Sequence, residues 1–279
     1  MRKTPLINSL KEIATDYDAI VFDQWGVLHN GTSASASAID IIETLAEQAK
    51  TLAVLSNSGK RSAPNIARIA AMGFKQNLFK TVLTSGEALW QDMKSGRITQ
   101  KRFYPIERAT GDAAQWSQGL NTKLVTFERA EAILLMGVPD GHHEIQYHHL
   151  WQKAQNRSLL VYCSNPDLSS PRKEGLVTSP GAIAATYEAL GGEVVFYGKP
   201  HAKVFEAMQE LLDTKRILMV GDSLEHDIEG AKNIGWDSLL VTDGLYAKAF
   251  ENAHAETTLK DLLRFTGSPA PDFLIHKLS

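Results

Sequence analysis

Short runs of apolar residues alternate with amphipathic helical patterns along most of the chain. The runs at Asp18–Phe22, Thr51–Leu55 and Lys80–Leu83 have the length and apolar character of buried strands. The segments between them place apolar residues at helical spacing, as at Ala38 and Ile42. This alternation is typical of an α/β protein with a mainly parallel sheet.

A second α/β series lies between about residues 97 and 180. Its predicted strands are Arg102–Ile106, Lys123–Thr126, Ala132–Met136 and Ser158–Cys163. After a predicted helix at Ser179–Leu190, the first series is expected to resume with the strands Val194–Tyr197, Arg216–Val220 and Asp237–Val241. The pattern therefore predicts a Rossmann-like parallel-sheet core over residues 1–86 and 189–279, with an inserted α/β cap domain over residues 87–188.

The first residues of the chain carry Leu6, Ile7, Leu10 and Ile13 at helical spacing, which predicts a short amphipathic helix. A signal peptide is not indicated, because no apolar run of about 7–15 residues is present there.

The amino-acid composition and net charge of the chain limit the kinds of function that it can have. The 279 residues are 43% hydrophobic and 22% charged, as in a globular protein, and the formal net charge is −3. That balance gives no electrostatic argument for a nucleic-acid or membrane partner. Cys163 is the only cysteine, which excludes an intramolecular disulfide and a zinc site with several cysteines. A cytoplasmic protein is expected.

Polar segments follow four of the predicted strands, at residues 23–31, 56–59, 198–200 and 221–227. In parallel sheets, ligands bind at the carboxyl ends of the strands, so these segments are expected to meet. Their candidate functional residues are Asp23, Ser56, Asn57, Lys199, Asp222 and Asp227.

This set of residue types suits phosphoryl transfer. A carboxylate can attack phosphorus and form an aspartyl-phosphate. Two or three oxygen ligands suffice to hold Mg²⁺, and a lysine with hydroxyl or amide donors can stabilise the phosphoryl oxygens.

The order and spacing of these motifs resemble the haloacid dehalogenase superfamily. The strand followed by D-x-x-G-V-L, the strand followed by S-N, the G-K-P lysine and the final G-D-S-x-x-x-D segment all occur in the family's order. An insert between the second and third motifs is similar to subclass IIA, which includes sugar-phosphate and 4-nitrophenyl-phosphate phosphatases.

The resemblance implies roles for individual residues. Asp23 would be the nucleophile and a metal ligand, while Ser56 and Asn57 would bind the phosphoryl group. Lys199 would pair with that group and with Asp23. Asp222 would bind Mg²⁺, with Asp227 as a direct ligand or a neighbour of one, and the backbone carbonyl of Trp25 would be a further ligand.

Trp25 departs from the family pattern. Phosphatases of this superfamily usually carry an aspartate there, which serves as general acid and then as general base. An indole N–H is only a hydrogen-bond donor and can do neither. The chain resembles a branch of subclass IIA with tryptophan at this position. His29 is the nearest titratable replacement in the sequence, and Trp25 could instead pack at the rim or form a wall for a substrate ring.

The predicted function is hydrolysis of a small phosphorylated metabolite with Mg²⁺, through an aspartyl-phosphate on Asp23 and with reduced activity. Asn165 and Asp167 in the cap either face the substrate or form an ordinary turn. Two alternatives stay open: a phosphate-ester-binding or regulatory protein with impaired catalysis, and a phosphotransferase or other hydrolase on the same fold. Subclass IIA proteins often dimerise through the cap, so a homodimer is also open.

Overall fold

The structure is a computed structural model that describes residues 4–172, 175–251 and 253–279. Its strands are β1 (Leu6–Ile7), β2 (Ala19–Phe22), β3 (Thr51–Ser56), β4 (Thr81–Thr84), β5 (Arg102–Ile106), β6 (Lys123–Leu124), β7 (Ala132–Leu135), β8 (Leu160–Cys163), β9 (Ser169–Arg172), β10 (Gly175–Thr178), β11 (Val194–Phe196), β12 (Ile217–Gly221), β13 (Asp237–Val241) and β14 (Phe273–Ile275).

The α-helices are α1 (Ala36–Glu47), α2 (Ser62–Ala71), α3 (Ser85–Ser95), α4 (Asp112–Trp116), α5 (His148–Asn156), α6 (Pro180–Ala189), α7 (Ala202–Leu212), α8 (Glu229–Asn233), α9 (Ala247–Phe250) and α10 (Ala255–Thr266). A π-helical turn, Leu224–Ile228, directly precedes α8. Short 3₁₀ turns lie at Leu10–Glu12, Ala14–Asp16, Gln76–Leu78, Phe127–Arg129 and Glu144–Tyr147.

The chain divides into two compact units. The first unit comprises the chain up to Ser56, Ala63–Leu83 and Lys199–Ser279, and the second comprises Asn57–Ser62 and Thr84–Gly198. The predicted α/β class with a parallel-sheet core is confirmed, and the second unit has a parallel sheet of its own. The assignment of a core to 1–86 and 189–279 and of a cap to 87–188 stays a prediction.

The first unit is built on a seven-stranded sheet with the order β1-β14-β13-β12-β2-β3-β4. Its central strands β2, β3 and β12 are almost wholly buried, as expected for parallel strands covered on both faces. Apolar residues of α1, such as Ile42 and Leu45, pack on β2 and β3 in one core cluster. These packed central strands fix the positions of the strand ends that carry the candidate site.

The second unit has a five-stranded parallel sheet with the order β11-β8-β7-β5-β6 and an antiparallel hairpin of β9 and β10. The core on this sheet is aromatic: Trp151 is fully buried and lies 4.9 Å from Tyr187 between ring centroids. The Trp151 indole donates to the Ile183 carbonyl at 3.1 Å, which satisfies its only polar atom.

Two sequence predictions about elements are wrong. The expected N-terminal helix is instead strand β1, whose Leu6 and Ile7 pair with Leu274 and Ile275, followed by two 3₁₀ turns. Pairing with a strand from the far end of the chain therefore overrides the local helical spacing. The strand at Val194–Tyr197 was expected to resume the first series, but β11 pairs with β8 and belongs to the second sheet.

Within the described part of the chain, no helix combines the length and the apolar character that crossing a bilayer requires.

Candidate active site

The site in the first unit begins where two neighbouring parallel strands end. Val220 of β12 pairs with Phe22 of β2, so Asp222 and Asp23 follow these strands at the same edge of the sheet. The backbone N–H of Asp23 continues the pairing by donating to the Val220 carbonyl at 2.9 Å. Strand register therefore sets the two carboxylates side by side, as the sequence predicts.

Lys199 lies between two carboxylates. Its ammonium group donates to Asp23 Oδ1 and, at 2.6 Å, to Asp227 Oδ1. All three side chains are buried, and Lys199 is only 3% exposed. A buried ammonium group needs such partners, because an isolated charge away from water is very costly.

Asp227 holds the loop after β12 as well as the lysine. Its Oδ2 accepts hydrogen bonds from the backbone N–H groups of Asp222 and Ser223, at 3.2 and 3.1 Å. The Ser223 hydroxyl in turn accepts from the His226 N–H and caps the π-helical turn. With one oxygen on Lys199 and the other on two N–H groups, Asp227 orders both the cation and the loop.

A further segment, not recognised from the sequence, contacts Asp222. The backbone N–H of Leu245 donates to Asp222 Oδ2 at 2.8 Å. A Cβ atom added at Gly26 or Gly244 would lie only 1.8 or 2.4 Å from that same oxygen. Polar residues after strand β13, Asp243 and Gly244, were the signal for this segment, because they follow a strand as the other motifs do.

Asp23, Asp222 and Asp227 form a compact acidic cluster. One carboxylate oxygen from each lies within 4.8 Å of the others, and all three residues are buried. Burial, the Lys199 charge that opposes it and the nearby Asp227 together raise the pKa of Asp23 to about 6. Burial followed by repulsion from Asp23 and Asp227 raises the pKa of Asp222 to about 8.

The pKa of Lys199 shifts in the opposite direction from the pKa of an ordinary buried amine. Burial alone would lower the pKa of Lys199, but attraction to Asp227 and Asp23 outweighs it and raises the pKa. Lys199 therefore stays charged and neutralises one of the three carboxylates. The remaining carboxylate oxygens fit a hard divalent cation, since such ions bind through oxygen ligands and Mg²⁺ needs only one or two carboxylates.

The loop that follows Asp23 is closed by its own hydrogen bonds. Gly26 N–H donates to the His29 carbonyl at 2.8 Å, and Gly31 N–H donates to His29 Nδ1 at 3.0 Å. His29 is 4% exposed, and burial followed by the charge of Arg68 lowers its pKa to about 4. Its ring thus supports the loop. Trp25, by contrast, is 46% exposed.

Of the other predicted site residues, Ser56 belongs to the first unit, whereas Asn57, Asn165 and Asp167 belong to the second. Ser56 is the last residue of β3, the strand beside β2, in the first unit. In the second unit, Asn57 Nδ2 donates to Asp167 Oδ1 at 2.8 Å, and Asp167 N–H donates to Asn165 Oδ1 at 2.9 Å. Phosphate binding by Ser56 and Asn57, the Trp25 carbonyl ligand and substrate contacts of Asn165 and Asp167 stay predictions.

Two family models and several curated proteins match this chain. Residues 20–114 match the model of haloacid dehalogenase-like hydrolases, and residues 196–265 match a HAD-hydrolase-like model. Chronophin from Bos taurus is 27% identical over 270 residues, 91% of this chain and 91% of its own length.

Solved structures agree with the fold along nearly the whole chain. A haloacid dehalogenase-like hydrolase from Brucella suis has a TM-score of 0.79 and 27% identity, covering 98% of this chain and 100% of that one. The glycerol phosphate phosphatase from Mycobacterium tuberculosis, solved in complex with magnesium, has a TM-score of 0.71 and 23% identity, covering 95% of this chain and 76% of that one.

The two family models between them include all four charged residues of the cluster, Asp23, Lys199, Asp222 and Asp227. With this geometry and these matches, the chain belongs to the haloacid dehalogenase superfamily of hydrolases, and its relatives are phosphatases of that superfamily.

Proposed function

We propose that the protein is a magnesium-dependent phosphatase that hydrolyses small phosphate monoesters through Asp23. The observation that carries the proposal is the buried cluster in which Lys199 bonds Asp23 while Asp222 and Asp227 lie within 4.8 Å. Relatives named for glycerol phosphate and dihydroxyacetone phosphatase activity support the substrate class, a small phosphorylated metabolite.

Asp23 acts as the nucleophile in this proposal. One of its carboxylate oxygens forms a bond to phosphorus, and the bond between phosphorus and the ester oxygen breaks as the alkoxide or phenolate leaves and takes a proton from water. Water then attacks the aspartyl-phosphate, which releases inorganic phosphate and restores the carboxylate. Lys199 offsets negative charge at Asp23 and at the phosphoryl oxygens, while Asp227 keeps the ammonium group in place.

The acidic cluster fits a divalent metal. Asp23 and Asp222 would hold it, and Asp227 would remain committed to Lys199 and the loop N–H groups. Gly26 and Gly244 leave the space that the Asp222 carboxylate occupies, because a side chain at either position would overlap it. When bound, the cation supplies positive charge that stabilises the transferring phosphoryl group.

Trp25 should make turnover depend on the leaving group. Its indole cannot donate a proton to a departing alkoxide, and the buried His29 ring already accepts the Gly31 N–H through Nδ1. General acid–base catalysis is worth about 10²–10⁴ in rate, and aryl esters need it less because phenolates leave more easily. We therefore expect aryl phosphates to be hydrolysed faster than alkyl phosphates.

The test is a phosphatase assay with Mg²⁺ on phenyl phosphate and on small alkyl phosphates. Wild-type protein should show weak turnover that favours phenyl phosphate and that disappears with a chelator. Asp23→Asn should abolish it, whereas Asp261→Asn, a change of the same kind at an exposed carboxylate of α10, should not. Undiminished turnover in Asp23→Asn would exclude the proposed nucleophile.

A second candidate function is binding of phosphate esters with little or no catalysis. Trp25 favours it, because the remaining charged groups can bind metal and phosphate without a proton donor at this position. Metal-dependent binding of inorganic phosphate with no turnover of any ester would support this candidate. A strong gain of activity in Trp25→Asp would show that only the acid–base group is lacking.

A further inference from the structure

A small cavity in the second unit is lined almost wholly by charged side chains. Its volume is about 270 Å³, and its lining residues are Arg102, Glu128, Arg129, Ala130 and Arg157. All five belong to the second unit, whereas the acidic cluster belongs to the first. The three arginines are exposed, so a ligand can reach them from solution.

The parallel sheet of the second unit brings these arginines to one edge. Arg102 is the first residue of β5, Arg129 lies shortly before β7, and Arg157 lies shortly before β8. Strands β8, β7 and β5 are neighbours in that order and pair in parallel. The cavity therefore lies at the amino ends of the strands, at the opposite edge of this sheet from the carboxyl ends where ligands usually bind.

Two of the three arginines are held by the turn that precedes β7. Arg157 donates to the Phe127 carbonyl and, at 2.8 Å, to the Ala130 carbonyl, and its guanidinium carbon lies 5.1 Å from the centre of the Phe127 ring. Arg102 Nε donates to the Arg129 carbonyl at 3.1 Å. Because a guanidinium group carries five N–H donors, these bonds fix both side chains and leave donors for a ligand.

The nearby carboxylates only partly neutralise the arginines. Glu128 is the acidic residue of the lining, and hydrogen bonds from its own backbone N–H and from Thr126 lower its pKa. Glu131 pairs with Arg102 at 2.9 Å. Within the part of the chain that the structure describes, the Arg129 guanidinium makes no hydrogen bond or ion pair. Positive charge is therefore in excess here, in a chain whose formal net charge is −3.

The lining limits the ligands that the cavity can bind. Ala130 is its only apolar residue, so an organic group would find almost no apolar contact. Guanidinium groups bind phosphate through parallel N–H bonds and are more weakly hydrated than ammonium groups. A tetrahedral phosphate group presents oxygens in several directions, as three guanidinium groups around one cavity require, whereas a carboxylate presents two in one plane. The volume lies below the roughly 300–1,000 Å³ of most ligand pockets, which favours a compact anion.

We propose that Arg102, Arg129 and Arg157 form a binding site for a compact anion with phosphate groups, of which pyrophosphate is the simplest with two. No residue of the acidic cluster takes part, so the site is independent of the proposed phosphatase activity. Because the turn before β7 holds two of the arginines in the folded state, anion binding there stabilises the folded protein.

Calorimetric titration with pyrophosphate, in a chelator that removes divalent metal, tests this site on the full chain. Arg129→Gln should raise the Kd about fivefold to tenfold, as expected for the loss of one charge-assisted contact at an exposed position. This variant should fold normally, because the Arg129 guanidinium has no other described partner. Arg264→Gln removes an 81% exposed arginine of α10 in the first unit and should leave the Kd unchanged.

A change of the opposite sign separates ligand binding from a structural role. Glu128→Gln removes the negative charge of the lining but keeps an oxygen acceptor, so it should lower the Kd about twofold to threefold. Malonate, a dianion with two carboxylates, should bind wild type about fivefold more weakly than pyrophosphate. Equal affinity for the two anions would overturn the assignment to phosphate groups.

Chemical modification locates the bound anion. Phenylglyoxal reacts with exposed arginine side chains, and pyrophosphate should slow this reaction at Arg129 but not at Arg264, as mapped by mass spectrometry of peptides. A Kd weaker than about 5 mM in wild type would overturn the proposal. Equal Kd values in wild type and Arg129→Gln, or protection only of arginines outside the cavity, would also overturn it.

Discussion

The charges at the site are unevenly matched, with one lysine against three carboxylates. Lys199 donates to Asp23 and Asp227, whereas the Asp222 side chain accepts the backbone N–H of Leu245. Removing one member of a buried charge pair is costly because its partner stays buried without compensation. Lys199 should therefore matter to folding as well as to catalysis.

We expect Lys199→Met to lower the free energy of unfolding by about 3–5 kcal/mol, because Asp23 and Asp227 would lose their shared cation. Urea unfolding monitored by circular dichroism would measure this. Lys260→Met provides the control, since Lys260 is 54% exposed in an i,i+4 pair with Glu256 and should contribute about 0.5 kcal/mol or less. Equal effects of the two variants would contradict the assignment.

At the scale of elements, the end of β12 and the π-helical turn fit together only because residue 221 is a glycine. A Cβ added at Gly221 would lie 2.1 Å from Asp227 Cγ, far inside any normal contact. This close approach lets the Asp227 carboxylate reach the N–H groups of Asp222 and Ser223. The strand, the turn and the lysine are thus ordered through one carboxylate.

Gly221→Ala should displace Asp227 and weaken Mg²⁺ binding, on the order of 10-fold, as for other changes to groups that orient metal ligands. The shift of the melting temperature with added Mg²⁺ would report it. Gly96→Ala serves as control: it imposes a strained φ of +83° in open space at the end of α3, so it should lower stability without changing the response to Mg²⁺. A normal Mg²⁺ response in Gly221→Ala would refute this role.

At the scale of the whole molecule, the buried acidic cluster makes the stability of the fold depend on pH. Burial and the neighbouring carboxylates raise the pKa of Asp222 from 3.8 to about 8 and that of Asp23 to about 6. At pH values above the ordinary pKa of 3.8 and below these raised values, the two aspartates bind more protons in the folded protein than in the unfolded chain. Its stability is therefore greatest at low pH within this window and is lost as the pH rises toward 8.

The melting temperature measured in a chelator should accordingly fall between about pH 5 and pH 8. Added Mg²⁺ should raise it more at pH 8 than at pH 5, because the metal competes with protons for the same oxygens. Asp222→Asn should flatten the pH dependence, and Asp261→Asn should not. A melting temperature that rises with pH in the chelator would contradict the expectation.

The central strands of the first sheet, and the aspartates that follow them, could be predicted from the sequence. Their apolar runs and their order along the chain are enough to place them. Strand β2 is uniformly apolar and buried, and Asp23 comes directly after it. The sequence therefore predicts a carboxylate at the carboxyl end of a buried strand, where the structure places it. Parallel neighbours end at one edge of a sheet, which brings Asp222 to the same place. The family resemblance implied the pairing of Lys199 with Asp23, whereas its second bond, to Asp227, was not predicted.

The remaining features depend on distant contacts that the local sequence does not specify. Val194–Phe196 is an apolar strand that could join either sheet, and its pairing with β8 is a tertiary outcome. Leu6 and Ile7 have helical spacing but pair with a strand more than 260 positions away. The Leu245 contact with Asp222 was missed because a backbone N–H makes it, so the identity of Leu245 does not indicate it, and the polar Asp243 after β13 was the one sign of this segment.

The central position of β2 between β3 and β12 has a consequence during protein synthesis. Lys199 lies 176 positions after Asp23, and β12 is translated later still. At roughly 5–20 residues per second, about 10–35 s pass on the ribosome before Asp23 gains its lysine partner. By the end of that interval every residue of the second unit has been made, whereas β2 still lacks β12, one of its two neighbours in the sheet. Translation that stops before Asp222 therefore releases a polypeptide that lacks the acidic cluster altogether.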